Sequence, residues 1–218
     1  MALEFLRKLR SSPTALSLLG ANILVLLFAL FLNWNVIDIM WIYVIQSVII
    51  GFFNFLKMLR MSFSSGKVGD AIGGTFLSGF FLLHYGGFHA GYMVFLALFS
   101  LSGGAKSFTI AGGAVNGLIA HLAPILILGS AVFFLNHLYS FMFYMKKSKL
   151  EVKEGLKKFD KVMMGPYVRI IPMHLTIIFG GMFILAGAPF IALIIFSVLK
   201  TIVDLYMHLR EHKDEINN

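Results

Sequence analysis

Histidines, one aspartate and one lysine stand inside the most apolar stretches of this chain. His84, His137, His174, Asp204 and His208 are of the types that ligate a divalent metal, hold a haem or pass protons. Gln46, Asn54, Ser140 and Lys200 lie in similar surroundings, and Tyr167 and Arg169 stand where another apolar run begins. An ionisable group at lipid depth is costly and normally faces a bundle interior, so each is a candidate functional residue.

Several chemistries suit these residue types. Three or four His and carboxylate ligands make a zinc site with a position left for water. Such a metal would activate that water or polarise a carbonyl, which suits hydrolysis of a lipid or peptide at the inner leaflet. Two histidines from different spans could instead hold a b-type haem. Lys200, Asp204 and the histidines could exchange protons in a small-solute, ion or proton transporter. His137 and Ser140 share a helix face, but no nucleophile-elbow pattern surrounds Ser140. The remaining alternative is a purely structural polar network. These alternatives leave open whether the chain is an enzyme.

Spacing sorts the candidates. Counted from the cytoplasmic ends of their spans, His84 lies about 15 Å deep, His137 about 12 Å, His174 about 9 Å and Asp204 about 5 Å, with His208 at the boundary. The expectation is one site in the inner half of the bilayer, with His208 at its mouth. Lys200, Asp204 and His208 follow one another at four-residue intervals and share a face. In HYGGFH, His84 and His89 are roughly 140° apart round a helix and cannot reach one metal together. Gly87 and Gly91 follow His84 on its own face, and small residues mark helix contacts, so His84 is expected to point inward and His89 elsewhere.

These side chains need elements to position them. Six apolar runs are legible: Pro13 to Leu32, Ile37 to Leu59, Gly74 to Leu101, Ala123 to Met145, Val168 to Ala186 and Ala188 to Met207. Each approaches the roughly 20 residues that cross a bilayer, and lipid forces the backbone into helices. The composition agrees, with 59% hydrophobic and only 13% charged residues. The fold class expected is all-α: a polytopic bundle of six spans in one domain, 1–218, with the lipid bilayer as its partner. The first run is too long for a cleaved signal and reads as a retained span.

Charge orients the spans. With six alternating spans, the lysines and arginines fall on one side, Lys106 excepted. That side is cytoplasmic, so both termini are expected there, in a multi-pass cell-membrane protein. The same placement accounts for the net charge of +8 beside anionic lipid and argues against nucleic acid. The chain has no cysteine, hence no disulfide framework or thiolate metal site. Residues 148–164 space apolar groups among lysines, as in a helix lying on the cytoplasmic surface. The Gly-rich segment 102–121 reads as an external interfacial or re-entrant piece, with His121 in a structural role. Tyr167 and Arg169 could hold an anionic headgroup or anchor the interface. Oligomeric state is left open.

HYGGF, GPYVRIIPMHLTIIFGG and KTIVDLYMHLREH, with WIYVIQSVIIGFFNFLKML and LNHLYSF, together resemble a family of bacterial and archaeal integral membrane proteins of unknown function. The resemblance covers most of the chain. It implies that His84, Tyr85, Gly86, Gly87, Pro166, Tyr167, Arg169, His174, Lys200, Asp204 and His208 are hallmark positions, and that His137 and Ser140 match a similar pattern. Gln46 stands where that pattern implies an acidic residue, and Tyr92 where it implies a histidine.

Overall fold

A computed structural model describes residues 12–34, 36–64, 66–100, 114–147, 159–185, 194 and 198–206. All regular structure among them is helical. Five long helices follow one another: α1 (Pro13–Phe31), α2 (Val36–Ser64), α3 (Val68–Phe99), α4 (Ala114–Lys147) and α5 (Phe159–Leu185). A shorter helical stretch, α6, covers 198–206.

Local chemistry sets the helix ends. Ser12 caps α1 by accepting the Ala15 N–H at 3.3 Å, and Pro13 occupies the first turn, where its missing donor costs nothing. Asn33, at φ 53°, takes the left-handed conformation just past α1 and lets the chain reverse into α2. Gly66, at φ 69°, serves the α2–α3 turn, where a side chain would be strained.

α1, α2, α3 and α4 are long and apolar enough to cross a membrane, which marks the chain as a membrane protein. Their extents differ from the expected runs mainly in length. α3 starts at Val68 and α4 at Ala114, so His121 belongs to a spanning helix and not to a separate external piece. α5 starts at Phe159, nine residues before the expected span, and Phe159 is buried against Met58, Met61, Phe81 and Tyr85. The end of the expected surface helix is thus continuous with α5. Residues 148–158, half of the expected sixth span and His208 lie outside the described residues.

α2 is the hub, with 61% of its apolar window buried against 28% for α3 and α4. It packs most extensively on α3 and also on α4 and α5, while α1 lies on α4. One apolar cluster joins Ala21, Val25 and Ala29 of α1 to Ile42, Tyr43 and Phe53 of α2 and to Ile125 and Phe133 of α4. Leu205 of α6 packs on Ala15 and Leu18 of α1. Among the described residues, close approach is real at three glycines, Gly51, Gly74 (against Ser62) and Gly129. A methyl at Gly51 would fall into the Tyr85 ring, and one at Gly129 would lie 2.9 Å from Ile42 Cδ1.

Candidate functional site

α1 and α2 each carry an amide near the middle of a largely apolar helix. Asn22 is nine residues into α1, about 14 Å along its axis. Gln46 is ten residues into α2, about 15 Å along. α6 places Lys200 between them. The Lys200 ammonium donates to Asp204 Oδ2 at 2.6 Å, to Gln46 Oε1, and to Asn22 Oδ1 at 3.5 Å. The amide orientation of Gln46 follows from chemistry, since an ammonium can only donate and must meet the carbonyl oxygen. The ammonium also lies 4.4 Å from the Tyr43 ring centre and 5.4 Å from that of Phe133. Gln46 is 0% exposed, Asp204 4% and Lys200 9%. Four helices, α1, α2, α4 and α6, thus enclose one buried ion pair. The pair adds no net charge, because Gln46 contributes none.

A second polar seam runs along α3. Phe81, Tyr85, His89, Tyr92 and Leu96 form one buried stripe at helical spacing, facing α2 and α5. The Tyr85 hydroxyl donates to the Ser47 carbonyl at 3.0 Å and lies 2.8 Å from its Oγ. His89 Nδ1–H donates to the Tyr85 carbonyl at 2.8 Å, and the ring is packed between Tyr85 and Tyr92. Its Nε2 has no hydrogen-bond partner among the described residues. The Tyr92 hydroxyl and His174 Nδ1 share a bond of 2.7 Å.

This reverses the expected orientation of HYGGFH. His89 is the inward histidine, 1% exposed, and His84 is exposed. Gly87 and Gly91 have open space around them. The aromatic stripe, not the glycine stripe, turned α3 inward, because Phe81, Tyr85 and Tyr92 bury far more apolar area than glycine can. His84 still has a partner, the Tyr167 hydroxyl, at 2.9 Å from Nδ1.

The expected residues therefore fall into separate places. Gln46, Lys200 and Asp204 come together. His84 meets Tyr167, and the exposed His174 meets Tyr92. His137 and Ser140 are buried on α4, and Asn54 is buried on α2. Arg169 lies in α5 with its side chain outside the described residues, as is all of His208. No group of three His, Asp or Glu among the described residues is placed to hold a metal ion. The four-helix zinc constellation is not assembled there, because Asp204 is bound to Lys200 while His84 and His174 turn to tyrosines.

Asn22, Tyr43 and Phe133 are the members that sequence reasoning missed. Asn22 had a signal, an amide within an apolar 20-residue run, whereas Tyr43 and Phe133 had none. His121 is also better placed than expected. Its Nε2 lies 2.9 Å from Oδ1 of the buried Asp38, tying α4 to the first turn of α2.

In sequence, residues 4–217 match the model of a family of unknown function, DUF6498. No curated protein and no solved structure matches the chain.

Proposed function

Because the chain belongs to that family of unknown function, we propose from its own geometry that it is a membrane carrier for ions or small solutes. Its working centre is the Lys200–Asp204 pair. The finer topology proposed with it is six spans in the cell membrane with both termini cytoplasmic. The segregation of Lys and Arg to alternate loops supports that orientation.

The buried pair carries the functional reading. Desolvating two opposite charges costs several kcal/mol per ion, and apolar residues of similar volume often serve stability as well or better. The apolar cluster of α1, α2 and α4 already packs these helices together. A charge pair set midway along the spans is then better explained by handling of a charged or polar cargo than by helix adhesion. The amides of Asn22 and Gln46 suit that role, since they can bind without adding charge.

Reconstituted protein in liposomes should support solute or proton flux that falls at least tenfold in Asp204→Asn. No flux from folded protein, across alkali cations, ammonium, protons and small organic ions, would overturn the carrier reading. Stoichiometric zinc lost in His174→Ala, or an intense haem band in purified protein, would replace it with metal or redox chemistry.

A further inference from the structure

We propose that the enclosure round the Lys200 ammonium is a cation cage whose chemistry selects ammonium and short primary alkylammonium ions. Lys200 is its built-in occupant. The inference rests on the carrier reading only in making the caged cation the cargo. The binding site itself follows from geometry.

An ammonium on a carbon stem offers three N–H donors. The cage offers three oxygen acceptors from three different helices: Asp204 Oδ2 at 2.6 Å, Gln46 Oε1, and Asn22 Oδ1 at 3.5 Å. Donor and acceptor numbers match. Two ring faces, Tyr43 and Phe133, complete the wall, and aromatic faces attract an alkylated or bare ammonium through their quadrupole. One carboxylate and no second charge, with Gln46 in place of an acid, sets the cage for a single positive charge. A divalent ion would leave one charge uncompensated in an apolar interior. A bare alkali ion needs oxygens on every side and would meet rings on two of them. A primary ammonium needs three acceptors and tolerates apolar walls elsewhere.

Exchange preserves charge. When a free ammonium enters, Lys200 withdraws with its charge and vacates the three oxygens. One positive charge then replaces another beside Asp204, and no unpaired carboxylate is left in the interior.

The test removes the occupant and keeps the cage. Purified full-length Lys200→Ala is unfolded thermally in detergent with ammonium, methylammonium or ethylammonium chloride, against sodium and tetramethylammonium chloride at equal ionic strength. The variant should unfold below wild type. Saturating primary ammonium should raise its midpoint by about 5 °C or more. The double variant Lys200→Ala/Asp204→Asn should show no such rise, and Lys200→Met, whose side chain fills the cage, should show little. Equal shifts with sodium, or none with any amine, would overturn the proposal. If Lys200→Ala does not fold alone, it is prepared with methylammonium present, and Lys200→Ser is treated in the same way. Failure of both to fold with or without amine would also overturn it.

Labelled methylammonium uptake by liposomes carrying wild-type protein separates the two readings. Amine rescue without uptake keeps the cage and removes the amine as cargo; the carrier reading falls with it if no other solute is carried. Uptake of a different solute without amine rescue keeps the carrier and removes the cage.

Discussion

Removing one partner of the Lys200–Asp204 pair should be far more damaging than removing both. At the observed 2.6 Å separation, the attraction is about 6 kcal/mol at an effective dielectric constant of about 20. Desolvation of the two ions offsets most of it, so the pair contributes little net stability. Each single substitution leaves a charge buried alone, at a cost of about 3–5 kcal/mol. The surroundings make the two costs unequal. After Asp204→Leu, the ammonium keeps the Gln46 and Asn22 oxygens and the Tyr43 and Phe133 faces, so the cost should lie near the lower bound, about 3 kcal/mol. After Lys200→Met, the Asp204 carboxylate loses its one hydrogen bond among the described residues, so the cost should lie near about 5 kcal/mol. The double variant Lys200→Met/Asp204→Leu should return to within about 2 kcal/mol of wild type or exceed it. The assay is equilibrium unfolding in mixed micelles against a denaturing detergent, followed by circular dichroism, as a double-mutant cycle. A double variant destabilised by the simple sum, about 8 kcal/mol, would refute the reasoning, because the two charges would then not be compensating each other.

Three further outcomes test the packing. Gly51→Ala should cost about 1–3 kcal/mol, since its methyl collides with the Tyr85 ring, while Gly87→Ala and Gly91→Ala, with open space around them, should stay within about 0.5 kcal/mol in the same unfolding assay. The reverse order would mean that α3 presents its glycine face to the bundle. His89→Leu should be neutral or stabilising, because it removes a buried nitrogen with no partner among the described residues; a loss above about 2 kcal/mol would show that Nε2 is engaged. Asp38→Asn should lower the unfolding midpoint and His121→Gln should lower it less, since the first weakens the bond to His121 and also removes a favourable acid from the first turn of α2. Equal, negligible effects would place the pair outside the folding unit.

Much of the framework was legible from residue types. Ser12-Pro13 and Asn33 mark both ends of α1 because capping and left-handed turns are local chemistry. α1 agrees with its expected run to within one residue. The other helices run past their apolar stretches because a helix does not stop where hydropathy falls; it continues while its backbone bonds can be made. Lys200 and Asp204 were legible as neighbours, being four apart on one helix.

Partners across helices were not legible. The phase of α3 separated His84 from His89, but phase alone cannot say which face is inward. Two stripes were available, one of glycines with His84 and one of Phe81, Tyr85, His89 and Tyr92. The bulky stripe packs against α2 and α5, and Gly51 on α2 makes room for Tyr85. That choice depends on a gap in another helix, about 34 residues away in the chain. The same reason explains the cage. Asn22, Gln46, Tyr43 and Phe133 gain their meaning only from Lys200, which reaches them across 154 residues to Gln46 and 178 to Asn22.

By itself, then, the sequence determined a helical membrane protein, the positions of its first four spans and a set of costly polar groups within them. Those follow from one-dimensional properties: run length, hydropathy, charge and local capping. Only the tertiary structure decided that Lys200 and Asp204 sit in a closed cage with two amides and two rings, and that His89 faces inward while His84 does not. Which side chains compensate a buried charge is a property of the three-dimensional packing, in which residues distant along the chain become the solvent for one another.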